Sequence, residues 1–230
     1  MRGLQVAIDG PAGSGKSTVA RRVARELGYL YIDTGAMYRA VTLQALRRGV
    51  PIDDPVALEC LARETRVEFV SQEDGVQAVY LNGEEVTRAL RSPEVNEMVS
   101  HVAKVPGVRR ELTRLQQKLG AAGGVVMDGR DVGTVVLPQA EVKVFLTASI
   151  EERVRRRLRE MEDRGYPVST VAVKREVLAR DCEDESRALA PLKPAADAVL
   201  LDSTYLSVNQ VVKKIVSLVR QREQEDRRSR

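Results

Sequence analysis

The chain has 230 residues, 43% hydrophobic and 30% charged, with a net charge of +4, which suits a globular protein of one domain with an insertion or a domain and a half. Its 37 basic residues are nearly balanced by 33 acidic ones, which excludes an acidic disordered chain and argues against a dedicated nucleic-acid binder. A lone histidine, His101, and two cysteines without CxxC spacing, Cys60 and Cys182, leave little for His-based triads, multi-His metal sites, zinc frameworks or disulfides.

Residues 4–8 form a short apolar run that predicts a buried strand. Asp9 closes it, and Gly10, Pro11, Ala12, Gly13, Ser14, Gly15, Lys16 and Ser17 follow at once. Thr18 opens a helical pattern of Val19, Val23, Ala24 and Leu27 that Gly28 ends. Strand, GxxxxGKS and helix stand in the order of a P-loop. Glycines let backbone N–H groups converge on phosphate oxygens without Cβ clashes, and the helix N-terminus presents its positive end. Lys16 is the reach toward the β- and γ-phosphates, and the Ser17 hydroxyl is a candidate Mg²⁺ ligand. Residues 9–18 are the candidate ATP segment.

A second strand is expected at 29–32, then a helix with Thr34 at its N-cap that runs to about Arg48 and stops at Gly49. Residues 66–70 and 76–81 read as two strands with no helix between them. Asp74-Gly75 lies between these strands and Asn82-Gly83 after them, both hairpin signals, with a third strand near Glu85-Val86. Residues 37–108 therefore read as an insertion carrying a small antiparallel sheet. Buried strands are expected at 125–127, 142–146 and 198–201. Ser149 with Glu152, and Ser207 with Gln210, look like capping boxes. The charged tail from about Arg220 is expected to fray. Strands alternating with helices imply an α/β fold with a parallel sheet covered on both faces. No apolar run approaches the length of a membrane span, the N-terminus does not read as a signal peptide, and a reducing cytoplasm is the expected setting.

The other motifs must name the reaction. Neither NKxD nor a DxxG switch sequence is present. One cluster, Asp33-Thr34-Gly35-Ala36-Met37-Tyr38-Arg39, follows the second strand, and another, Asp128-Gly129-Arg130-Asp131-Val132-Gly133-Thr134, follows the third. Both fall at C-terminal strand ends, where open α/β sheets bind ligands. Arg180, Asp181, Asp184 and Arg187 make a third cluster at helical spacing, which a surface ion-pair ladder would also produce.

IDGPAGSGKST, DTGAMYR, DGRDVGT and RDxxDxxR, in this order and spacing, resemble the bacterial cytidylate kinases, P-loop nucleoside monophosphate kinases, over nearly the whole chain. Thr34 departs slightly, since many members carry Ser there. The resemblance implies γ-phosphoryl transfer from ATP to CMP or dCMP, with Mg²⁺ accompanying ATP. It also implies a P-loop three-layer α/β/α core with a five-stranded parallel sheet (1–36, 109–150 and 166–230). The nucleotide-binding insertion would be 37–108 and a short helical lid 151–165.

Site roles follow by resemblance. Arg39 and Arg130 would hold the CMP phosphate with guanidinium forks. Arg109, Arg187, Thr34 and Asp131 would read cytosine, a carboxylate accepting from the N4 amino group that uracil lacks. Arg180, Asp184 and Ser100 would hold the pentose. Asp33 and Asp128 are candidate outer-sphere partners of Mg²⁺ or, alternatively, capping and loop-shaping residues. Within 151–164, six arginines face five acidic residues, and pairs such as Glu151–Arg155 and Glu152–Arg156 also suit a plain solvated helix. Arg153 and Arg157 are the arginines expected to fold over the phosphoryl group. A monomer that binds no nucleic acid and no membrane is expected. Two other classes stay open: a P-loop kinase for UMP, AMP or a metabolite alcohol, and a non-enzymatic ATP- or nucleic-acid-binding module.

Overall fold

The computed structural model describes residues 3–71, 77–163, 165–166 and 169–228. The chain divides into two compact units, Met1–Tyr31 with Ala122–Arg230, and Ile32–Ala121.

The first unit begins with β1 (Gln5–Asp9), then α1 (Lys16–Leu27) and the start of β2 (Leu30–Asp33). After the second unit it resumes with β6 (Val125–Gly129), β7 (Val142–Thr147), α6 (Ile150–Glu162), α7 (Thr170–Glu185), β8 (Val199–Asp202) and α8 (Val208–Arg228). The sheet has five strands in the order β2-β6-β1-β7-β8. β1 pairs in parallel with β6 and β7, with Ala7 opposite Met127 and Lys143. Central strands covered on both faces need apolar residues at successive positions, and Val6, Ala7, Ile8, Val125, Val126 and Met127 are all fully buried.

α1 forms because Val19, Ala20, Val23 and Ala24 recur on one face and pack into the core beside Val211, Ile215, Val216 and Val219 of α8. Burying each Val or Ile of α8 contributes about 1.5–3 kcal/mol. Gly28, left-handed at φ 69°, ends α1 and donates its N–H to carbonyls of the last turn. The Ser207 capping box forms, with Ser207 and Gln210 bonding reciprocally, whereas Ser149 only caps: its Oγ accepts from Glu152 N, but its own N–H donates to Thr204 and not to Glu152.

Two expectations change here. β8 is exposed rather than buried, with Leu200 at 68%; it is an edge strand that pairs only with β7, and unlike β2 at the other edge it is left largely uncovered. The tail does not fray at 220: α8 runs on to Arg228. Glu223 accepts from the Tyr29 hydroxyl at 2.8 Å, and Glu225 pairs with Arg222, which hold its last turns.

The second unit contains α2 (Thr34–Arg48), α3 (Pro55–Glu64), β3 (Val67–Ser71), β4 (Gln77–Leu81), β5 (Glu84–Glu85), α4 (Pro93–Lys104) and α5 (Pro106–Gly120). The antiparallel sheet β3-β4-β5 is present, and Asn82 and Gly83 both take positive φ, 52° and 88°, as the β4–β5 turn requires. The Asp74-Gly75 turn lies outside the described residues. The expected sheet is the minor part of this unit, for four helices supply most of its buried core. Asp54 and Ser92 cap α3 and α4, each before a proline at the first helical position. The N-cap of α2 is Asp33, not Thr34: the Asp33 carboxylate accepts from Ala36 N at 2.9 Å.

Candidate active site

The loop after β1 has the shape its glycines require. Gly10 has φ 151°, and a Cβ there would sit 2.0 Å from the Leu146 carbonyl oxygen. Gly15 is the left-handed N-cap of α1 and provides no side-chain cap. The first N–H groups of α1 are thus left for an anion.

Lys16 is buried, and its Nζ donates to the Pro11 carbonyl at 2.7 Å and to Ser14 Oγ at 3.3 Å. Burial, reinforced by the Arg130 charge, holds its ammonium well below the ordinary lysine range, with Asp128 and Asp9 opposing. A pocket that disfavours its own cation is short of negative charge, which a polyphosphate supplies.

Ser17 Oγ donates to Asp128 Oδ2 at 2.8 Å, and the Tyr31 hydroxyl donates to Oδ1 at 2.8 Å. Asp128 is 3% exposed, so a hydroxyl and a carboxylate, both hard oxygen donors, meet at the start of α1. Among the described residues no group of three or more His, Cys, Asp or Glu could hold a metal ion. The Ser17–Asp128 oxygen pair suits Mg²⁺, which takes one or two protein oxygens and draws the rest from phosphates and water.

Asp9 turns away from the loop it precedes. Its two oxygens accept from Val132 N at 2.8 Å and Gly133 N at 2.7 Å. These begin the single π-turn Val132–Val136 that follows Arg130 and Asp131. Desolvation, with the nearby charge of Asp131, pushes the Asp9 carboxyl up to about 6.

Of the acceptor residues expected from sequence, the first unit holds Arg130, Asp131, Arg180, Asp184 and Arg187. Asp184 is 1% exposed, and its carboxylate accepts from Arg130 Nε at 2.6 Å and from Arg187. The spacing is therefore no surface ladder. Arg187 lies beyond the end of α7, whose C-cap is Ser186. Asp131 is also buried.

The second unit holds Thr34, Arg39, Ser100 and Arg109, all largely buried. Arg39 Nη2 donates to Asp33 Oδ2 at 3.0 Å, and Arg91, which the sequence reading missed, lies 3.6 Å from the same oxygen. Asp33 thus combines capping with orienting these arginines. Arg39 Nε is buried and has no hydrogen-bond partner among the described residues, a donor that an anion would satisfy. Arg109 donates to the Ala103 carbonyl at 3.0 Å and stacks over the Tyr38 ring at 5.4 Å.

The arginines of α6 divide by face. Arg155 and Arg156 both pair with Glu152, so the expected Glu152–Arg156 pair forms while Arg155 takes Glu152. Arg157 pairs with Glu160 and Glu176, each at 3.1 Å. Arg153 and Arg156 instead bond the P-loop backbone, at Ala12 and Ser14. Arg164, at the end of the expected lid, lies outside the described residues.

A parallel α/β sheet, a glycine loop feeding the N-terminus of α1, a buried Lys16 and a Ser17–Asp128 pair together define a P-loop phosphotransferase. Its particular kind follows from comparison. The cytidylate kinase family model matches residues 6–221, and the chain belongs to that family. The cytidylate kinase of Pelotomaculum thermopropionicum is 54% identical over 93% of this chain and 95% of its own length. That of a Geobacillus species is 52% identical over 95% and 97%. A solved structure of an uncharacterized protein from Eubacterium ventriosum shares the fold at TM-score 0.50 and 12% identity, over 95% of this chain and 98% of its own.

Proposed function

We propose that this chain transfers the γ-phosphoryl group of ATP directly to CMP or dCMP, giving ADP and CDP or dCDP, with its residues in the roles that follow. It is an ATP-dependent phosphotransferase of the cytidylate kinase family. The observation that carries the reading is the loop Gly10–Ser17, with buried Lys16 beside the uncapped start of α1, in a chain matched to that family over residues 6–221.

The loop binds the ATP phosphates through backbone N–H groups and Lys16. Ser17, with Asp128 behind it, would hold Mg²⁺, which neutralises charge on the β- and γ-phosphates when bound. Arg39 and Arg130 take the phosphate of the acceptor; the unsatisfied Arg39 Nε supports this for Arg39. Arg109, Asp131, Thr34 and Arg187 read cytosine, and Arg180, Asp184 and Ser100 hold the pentose. Arg39, Arg130, Arg109 and Arg187 are already oriented by a carboxylate or carbonyl, such as Asp33 on Arg39 and Asp184 on Arg130, so less side-chain entropy is lost on binding. Residues 37–108 serve as the acceptor-binding insertion and 151–165 as the lid. Arg157 is the lid arginine assigned to the transferring group, and it must exchange Glu160 and Glu176 for phosphate oxygens. Phosphoryl transfer needs charge stabilisation and alignment more than a strong base. The protein acts as a monomer.

The test is product identification. ATP, Mg²⁺ and CMP incubated with the protein should yield equal amounts of CDP and ADP by ion-exchange chromatography. ADP formed without CDP would overturn the reading.

A further inference from the structure

Asp181, the second residue of the RDxxDxxR motif, has no part in the roles above. We propose that Asp181 and Arg153, assisted by Arg156, are positioning residues that clamp the backbone of the phosphate loop and set the direction of its N–H groups. This rests on the assignment of that loop to ATP.

The contacts form a closed ring. Ala12 N donates to Asp181 Oδ1 at 3.3 Å, Arg153 Nη1 donates to Asp181 Oδ2 at 2.5 Å, and the same nitrogen donates to the Ala12 carbonyl at 3.1 Å. Arg153 Nε is fixed in turn by the Ala148 carbonyl at 3.2 Å. Asp181 is 9% and Arg153 8% exposed, so the ring is shielded from competing water. The loop is packed against the same residue: a Cβ on Gly13 would lie 2.9 Å from the Arg153 carbonyl oxygen. One turn further along α6, Arg156 donates to the Ser14 carbonyl at 2.9 Å and to Ser203.

Peptide geometry gives these contacts a consequence. In a planar trans peptide the C=O and the following N–H point in opposite directions. Holding the Ala12 carbonyl therefore fixes the Gly13 N–H, and holding the Ser14 carbonyl fixes the Gly15 N–H. Gly13 and Gly15 have φ 73° and 90°, and glycine moves between such conformations at little cost. An unclamped loop would sample flipped peptides that offer carbonyl oxygens to the phosphates. The two arginines of α6 thus pre-organise an anion site without touching the anion, which distinguishes them from Arg157.

Two variants test the clamp. Asp181→Asn keeps the size but offers one acceptor where the carboxylate offers two. Arg153→Lys keeps a buried cation for Asp181 but has no Nε to hold the Ala148 carbonyl, so the nitrogen that bridges Asp181 and Ala12 is no longer fixed in place. Equilibrium binding of ATP alone and of CMP alone is measured by calorimetry, with circular dichroism and thermal melts reporting the fold. Each folded variant should bind ATP at least tenfold more weakly and CMP within twofold of wild type. ATP affinity within twofold of wild type in a folded variant would overturn the proposal, as would an equal loss for CMP. If Asp181→Asn does not fold, Arg153→Lys decides. Wild-type conversion of CMP in the same preparation tests the functional reading separately.

Discussion

Replacing Asp9 by Asn should separate stability from activity. The wild-type carboxyl is pushed from the ordinary 3.8 up to about 6, by desolvation first and then by Asp131, while the N–H groups of Gly133 and Val132 and the Lys16 charge oppose the change. That difference, about 2.2, means the ionised form costs the fold roughly 3 kcal/mol relative to the neutral one, at about 1.36 kcal/mol per pKa unit. Asn removes this cost but accepts from only one of the two N–H groups and points its NH₂ at the other. Loss of a charge-assisted hydrogen bond of this kind is worth about 1.5–3 kcal/mol. The bonds from Gly133 and Val132 are already counted in the net cost of ionisation, so the variant should be the more stable protein at pH 7.5, by up to about 3 kcal/mol. Activity should fall, because the freed turn directly follows Arg130 and Asp131: kcat/KM for CMP drops roughly 10- to 100-fold if the lost bond acts in the transition state.

The pH dependence has a definite sign. A folded pKa above the unfolded one means the native protein holds the extra proton between pH 3.8 and about 6. This group's contribution is therefore full below 3.8 and is lost as pH rises through 6. From pH 7 to pH 5 it adds about 1.3 kcal/mol to the wild type and nothing to the variant. Urea denaturation of both proteins at both pH values isolates the difference, since the remaining groups are shared. A variant with wild-type activity and the wild-type pH dependence of stability would refute the reasoning.

Lys16→Ala should fold normally and lose at least 100-fold in kcat, about 2.7 kcal/mol of transition-state stabilisation; steady-state kinetics with a melt control checks it, and a loss under tenfold contradicts the assignment. Asp131→Ala should lose CMP turnover far more than UMP turnover, narrowing discrimination by the roughly 1.5–3 kcal/mol of a charged hydrogen bond; equal losses would place Asp131 on phosphate or metal instead. Ser17→Ala should raise the Mg²⁺ concentration for half-maximal activity about tenfold, read from a magnesium titration at fixed ATP, and an unchanged titration would remove Ser17 from the metal.

The core of the fold and the ATP side were legible because local sequence dictates them. Glycine spacing, Lys16 and Ser17 are contiguous, and strands 125–129 and 142–147 carry the apolar runs Val125-Val126-Met127 and Val144-Phe145-Leu146. The second unit was less legible. Its hairpin signals stood out, whereas α3, α4 and α5 are announced only by Asp54-Pro55, Ser92-Pro93 and Val105-Pro106. Hydroxyl residues often cap, which favours Thr34, but Asp33, one residue earlier, is the one that reaches Ala36 N. The exposure of β8 could not be read from Val199 and Leu200, since sheet order and what covers each edge are decided by distant parts of the chain. Long-range partners were hidden altogether. Nothing local shows that Asp9 bonds residues 123 and 124 positions away, or that Arg153 meets Asp181. Arg153, expected at the phosphoryl group by resemblance, bonds the loop backbone at Ala12.

The most direct test of the central claim is kcat/KM across CMP, dCMP, UMP and AMP as acceptors, at saturating ATP and Mg²⁺ in a coupled ADP assay. CMP or dCMP should exceed UMP and AMP by at least tenfold; for UMP this is the discrimination expected when a buried carboxylate meets a carbonyl rather than an amino group. Equal turnover of all four, or ADP release independent of any acceptor, would contradict a cytidine-specific phosphotransferase.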